Sequence, residues 1–129
     1  MITILDTDHC VEVLRGRLNL DEHVDSDMLL CITAITVGEL VFGANKSDRP
    51  EHYLAQVKAL IEGLTLLPYD HDAGYRYGHL KDTLRRSGQL LAEPDLQIAS
   101  IALSRFAVLA THNQRHFRRV EDLSLADWL

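Results

Sequence analysis

Short, uniformly apolar runs separated by segments of helical period set the strongest limit on what this chain can become. Ile2 to Leu5 is an apolar, β-branched run that ends at an acid, Asp6. Leu29 to Ile32, Thr65 to Leu67 and Ala107 to Ala110 are runs of the same kind. Strands buried on both faces read this way, as continuous apolar stretches rather than as apolar–polar alternation. Between the runs, apolar residues recur with the spacing of one helical face. Val11 and Leu14 form one such set, Val37, Leu40, Val41 and Ala44 a second, and Leu54, Val57, Ile61 and Leu64 a third. Ala73, Tyr77, Leu80 and Leu84 follow, then Ile98, Ile101 and Ala102. Helix signals agree with these stripes. Asp6 or Thr7 opens the first helix, the second starts at about Ala34, and Asp70 or His71 opens the long one; Pro50 and Pro94 open two others. Gly16, Gly63 and Gly88 stand where helices stop. Leu18 to Val24 predicts another short helix, and Leu123 to Leu129 a short strand or turn anchored by Trp128. Strand and helix therefore alternate, which predicts an α/β fold in three layers: a central, mostly parallel sheet flanked by helices.

No repeat, low-complexity stretch or linker interrupts this pattern, so residues 1–129 are expected to form a single domain. At 47% hydrophobic and 25% charged, the chain has the apolar content of an ordinary soluble core. A net charge of −6 argues against a protein that holds nucleic acid on a broad basic surface. It leaves room for an enzyme that meets phosphate through bound cations. Cys10 and Cys31 are far apart and lie in apolar surroundings, as reduced thiols of a cytoplasmic protein do. The N-terminus has neither the basic start nor the apolar run of a signal peptide. No stretch approaches the ~18 apolar residues that a membrane span needs.

The placement of the acids is the functional clue. Asp6 ends the first strand, Asp95 starts the helix before the last main strand, and Asn113 follows that strand. Ligands of open parallel sheets bind outside the carboxyl ends of the strands. Glu39, off the apolar stripe of the helix after the second strand, can lean toward the same crevice. Clustered carboxylates repel one another and lose solvation when buried, a conflict that a hard divalent cation resolves. Such a site can activate water and neutralise charge on a phosphodiester. Each acid also has an ordinary structural reading. Asp6 caps a helix, Asp95 sits favourably at a helix N-terminus, Glu39 is a solvated helix residue and Asn113 a turn residue. The chain carries no Gly-rich phosphate loop, no nucleophile-elbow serine and no zinc spacing of Cys and His.

Local sequence supplies what spacing leaves open. Leu5-Asp6-Thr7-Asp8, Thr36-Val37-Gly38-Glu39-Leu40, Pro94-Asp95-Leu96-Gln97-Ile98-Ala99 and Thr111-His112-Asn113-Gln114-Arg115-His116-Phe117 resemble, in order, the four motifs of PIN-domain ribonucleases. The resemblance is nearest to the VapC toxins of bacterial and archaeal toxin–antitoxin pairs. It implies a PIN-like fold in which Asp6, Glu39 and Asp95 hold one or two Mg²⁺ or Mn²⁺ ions. It assigns Asn113 to a fourth position that is often Asp, where the amide orients water, and it makes Thr7 and Thr111 supporting residues. Asp8, also a supporting residue, stands where Asn is commoner, a departure that either adds a fourth charge to the site or caps the helix, with the cap the favoured reading. Ala92 stands where Gly is frequent, which implies a stiffer loop before Asp95. The implied activity is endoribonucleolytic cleavage of structured RNA such as tRNA or ribosomal RNA. The implied partners are a cognate VapB-like antitoxin and a second copy of the chain. The paired helices from Pro50 to Gly88 are expected to offer apolar surface to the antitoxin tail.

Arg115, His116, Arg118 and Arg119 either hold RNA phosphates beside the site or lie on a solvated helical turn. Arg85 and Arg86 read as solvated helix residues, His9 and His71 as ordinary surface or turn residues. Tyr53, Tyr69, Tyr75 and Tyr77 are too scattered for a base-stacking platform. Two competing classes remain. A phosphate-accepting domain using Asp6 would want a lysine after a strand, and Lys46, Lys58 and Lys81 follow none. A non-catalytic PIN-like module binding RNA or protein would not require the retained acids.

Overall fold

A computed structural model describes all 129 residues. Its strands are β1 (Ile2–Leu5), β2 (Leu29–Thr33), β3 (Thr65–Leu67), β4 (Val108–Ala110) and β5 (Ser124–Ala126). Its helices are α1 (Thr7–Leu14), α2 (Ala34–Asn45), α3 (Pro50–Glu62), α4 (His71–Arg86), α5 (Glu93–Ser104) and α6 (Gln114–Phe117). The strands form one sheet in the order β3-β2-β1-β4-β5, and every pairing is parallel. The apolar runs are explained by this geometry, because successive residues of β1 serve different cores. Ile4 and Cys31 point into one core with Leu84, Ile98, Leu109 and Phe117. Leu5 and Ile32 point into the other with Cys10, Leu40, Val57 and Ala110.

The topology places the helices. From β1 the chain steps outward to β2 and then β3, and it must return across the sheet to reach β4. Right-handed crossovers put the outward connections on one face and the return connection on the other. Accordingly α1, α2 and α3 cover the Leu5 face, and α4 and α5 the Ile4 face. The helices between Pro50 and Gly88 are therefore not a pair. The edge strand β3 separates them: α3 packs on α2, and α4 packs on α5. The short helix expected over Leu18 to Val24 is reduced to one 3₁₀ turn, Leu20–Glu22. Asn19 caps that turn by accepting from the Asp21 amide. At the tail, Trp128 packs beside the Leu5 core and stacks on His23 at 5.1 Å.

The sheet order reverses between β1 and β4. At such a switch point the connections leave in opposite directions and open a crevice at the strands' carboxyl ends. Asp6, Thr33 and Thr111 are the residues on which β1, β2 and β4 run out there.

Candidate active site

Asp6 stands at the centre of the crevice. It is the N-cap of α1, with Oδ1 accepting from the Thr7 amide at 2.8 Å. Its Oδ2 accepts from the Thr111 hydroxyl at 2.7 Å. Burial pushes the Asp6 carboxyl from 3.8 up to about 6; the charges of Asp8 and Asp95 add to this, and the Thr111 and Thr7 bonds oppose it. Asp95, in the first turn of α5, is raised by burial and then by Glu39 and Asp8, while His116 works the other way. Asp6 thus feels the charges of Asp8 and Asp95, and Asp95 those of Glu39 and Asp8, across a single crevice.

Glu39 is held by a hydroxyl relay. The Thr7 hydroxyl donates to Glu39 Oε1 at 2.7 Å and lies 3.0 Å from the Thr36 hydroxyl, which lies 3.4 Å from that of Thr33. Each hydroxyl has one proton, so giving the Thr7 proton to Glu39 leaves Thr36 to donate to Thr7. Thr33 also caps α2 by accepting from the Thr36 amide.

Asn113 joins the set indirectly. Its amide N–H donates to the Thr111 hydroxyl oxygen at 3.0 Å, and its side-chain nitrogen lies 2.9 Å from His116 Nδ1. His116 and Arg115 are exposed on the short helix α6. No three of the His, Cys, Asp and Glu side chains stand close enough to enclose an ion by themselves. The donor chemistry nevertheless fits a hard divalent cation. The available atoms are carboxylate oxygens that repel one another, and Mg²⁺ usually takes only one or two carboxylates, filling its shell with water and phosphate.

The sequence profile of the PIN domain matches residues 3–123. The tRNA(fMet)-specific endonuclease VapC of Salmonella typhimurium is 36% identical over 97% of this chain and 96% of its own. Ribonuclease VapC2 of Haemophilus influenzae is 33% identical over 98% and 97%. This chain belongs to the VapC group of the PIN-domain family. Solved structures agree with that membership. VapBC2 of Rickettsia felis, bound to a DNA fragment from its promoter, superposes with a TM-score of 0.93 at 27% identity, covering 100% of both chains. DNA-bound VapBC of Salmonella typhimurium superposes at 0.92 with 33% identity, over 100% of this chain and 99% of that one. Membership places the chain among nucleases.

The structure gathers Asp6, Thr7, Glu39, Asp95 and Thr111, all expected at the site, around one crevice. The reading of Asp8 as a helix cap is corrected. Asp6 holds the cap, and Asp8 turns to the β4 loop, accepting from the His112 amide at 2.9 Å. Burial draws the Asp8 carboxyl upward, but hydrogen bonds from His9 and the His112 amide outweigh it and hold Asp8 below the usual range. His9 is not a surface residue either; it is fully buried, and Asp8 and the Trp128 amide occupy its two nitrogens. Arg85 and Arg86 are solvent-exposed and pair with Asp82. Thr33 and Thr36 were missed. Their signal was in the spacing, since Thr33, Thr36 and Glu39 recur every three residues and share one side of α2.

Proposed function

We propose that this protein is a VapC-type endoribonuclease toxin. It hydrolyses phosphodiester bonds of structured RNA such as tRNA or ribosomal RNA, depends on Mg²⁺ or Mn²⁺, and is restrained by a VapB-like antitoxin. The observation that carries this reading is the gathering of acids at the switch point, where the charge of Asp95 acts on Asp6 and that of Glu39 on Asp95, in a chain of the VapC group. Asp6, Asp95 and Glu39 are the residues that would hold the cation. The bound cation supplies an activated water and charge neutralisation at the phosphate. The remaining work falls to the chain. Thr7 and Thr111 fix the rotamers of Glu39 and Asp6. Asn113 orients the attacking water without adding a charge. Water loses a proton as its oxygen bonds to phosphorus in line, one P–O ester bond breaks, and the leaving alkoxide takes up a proton. Arg115 and His116, exposed beside the crevice, hold the RNA backbone.

A groove on the Leu5 face supports a place for the antitoxin other than the α3–α4 surface. Lined by Val11, Leu14, Leu40, Tyr53 and Val57, it runs between α1, α2 and α3 to Thr7 and Glu39. It suits an antitoxin segment with apolar side chains and a cation that reaches the acids. The same reading takes the protein as one domain and a homodimer, at work in the cytoplasm, where the free thiols of Cys10 and Cys31 stay reduced. No helix is long and apolar enough to cross a membrane.

Incubation of antitoxin-free protein with total RNA tests the activity. Discrete cuts with Mg²⁺ or Mn²⁺ are expected, and EDTA or Asp95→Asn should abolish them. Folded protein that neither cuts RNA nor binds either cation would instead be a non-catalytic binding module.

A further inference from the structure

Asp8 and His9 form a pair for which the proposed hydrolysis has no use. His9 lies in the first turn of α1 and is fully buried, yet both ring nitrogens have partners. The Trp128 backbone N–H lies 3.0 Å from Nε2. An amide N–H only donates, so Nε2 must accept, and the ring proton sits on Nδ1. From there it is given to Asp8 Oδ1 at 2.8 Å. The other Asp8 oxygen accepts from the His112 amide at 2.9 Å and lies 3.3 Å from the Thr111 hydroxyl. Thr111 in turn bonds Asp6 and the Asn113 amide. The tail is fastened a second time where His112 Nδ1 meets Asp127 Oδ2 at 2.9 Å, and Trp128 stacks on His23. An unbroken line of hydrogen bonds therefore runs from the C-terminal tail through a buried imidazole to the loop that carries Thr111 and Asn113. Packing alone does not call for a histidine here. A buried ring with two polar atoms is costly unless both are bonded, and an apolar residue of similar volume would fill the space.

We propose that His9 is a positioning residue: it ties the tail at Trp128 to Asp8, and through Asp8 it sets the Thr111–Asn113 loop beside Asp6. Its consequence for catalysis rests on the nuclease reading, but the linkage itself is a property of the free protein.

The test joins two readouts. Hydrogen exchange of the His112 and Trp128 backbone amides is followed by NMR in metal-free, RNA-free protein. RNA cleavage is followed as kcat and KM. His9→Leu is expected to speed exchange at both amides and to lower kcat by about 10- to 100-fold, as loss of an orienting partner does, with KM little changed. Asp8→Asn combined with His9→Leu should recover most of the lost kcat and the His112 protection. The neutral amide needs no donor from position 9, and its oxygen still accepts from the His112 N–H. A double variant no better than His9→Leu alone would reduce His9 to packing and overturn the proposal. Should His9→Leu not fold, His9→Asn decides the matter. Its amide nitrogen stands where Nδ1 stood and keeps a donor for Asp8, but the shorter side chain has no atom in the place of Nε2 to accept from Trp128, so only the Trp128 amide should exchange faster. Equal acceleration, or none, at the two amides would overturn the linkage. A wild type that cuts no RNA would sink the nuclease reading, and the exchange pattern would still judge the linkage.

Discussion

Asp6 has two duties that pull against each other. As a cap it must accept from the Thr7 amide, and as a member of the acid cluster it must stay charged while nearly out of solvent. The cap and the place of Asp6 among the acids were both legible, since an acid after a buried strand and before a helix serves either purpose. Its burial was not, because it depends on Thr111, far away in sequence, closing over the carboxylate. The consequence is a pH-dependent cost. A carboxyl raised from 3.8 to about 6 binds its proton more tightly in the folded than in the unfolded chain. Between those two values the folded state therefore loses stability as pH rises. The cost is complete above about pH 6, on the order of 3 kcal/mol, and is gone below about pH 4. Asp6→Asn keeps an oxygen for the Thr7 amide and removes the charge. Urea unfolding of the metal-free proteins should find the variant more stable than wild type at pH 8, with the gain vanishing toward pH 4. A gain of equal size at both pH values would place the cost somewhere other than this charge.

Helix α2 presents Glu39 to the acids, and its residues Leu40, Gly43 and Ala44 help to wall the apolar groove. The two parts share a helix because residues three and four apart lie on one side. Gly43 has open space where a Cβ would stand, and its φ is not positive, so a larger residue fits without strain. Gly43→Glu removes a poor helix former and puts a carboxylate into the groove, four residues from Glu39. The expected outcome is unchanged or slightly higher thermal stability, with antitoxin binding weakened about tenfold or more, ~1.4 kcal/mol. Titration calorimetry with purified antitoxin measures this, and unchanged affinity would move the antitoxin off this groove. The elements themselves were legible from apolar period and from Pro and Gly punctuation, and β1, α3 and β3 fall where the sequence put them. Their assignment to faces was not. Placing α3 and α4 together treated neighbours in sequence as neighbours in space, whereas β3 is an edge strand and the chain has to return behind the sheet. The segment from Leu18 to Val24 failed for a different reason: short-range side-chain bonds flank it, the Asp21 amide to Asn19 before the turn and the Asp27 amide to Asp25 after it, and the chain takes a single 3₁₀ turn between them.

As a whole the molecule carries a net charge of −6, yet the proposed substrate is a polyanion. The acids at the switch point concentrate that conflict, because burial and the neighbouring carboxylates raise both Asp6 and Asp95. If a divalent cation belongs between them, its binding must stabilise the folded state, since the unfolded chain holds these residues apart. The stabilisation expected for one site is about 2.7 kcal/mol when the free cation is 100 times its Kd. Melting curves in Mn²⁺ or Mg²⁺ should therefore rise with cation concentration. Simple screening of the acidic surface also raises melting temperatures, so NaCl matched for ionic strength has to be subtracted. Asp95→Asn separates the two effects. It changes the net charge by one unit, which leaves screening nearly as it was, but it removes one of the oxygens that would hold the ion. The wild type should gain stability beyond the salt control, and Asp95→Asn should gain little. Equal gains in the two proteins would mean that the cation acts on the surface at large and that Asp95 is not one of its ligands.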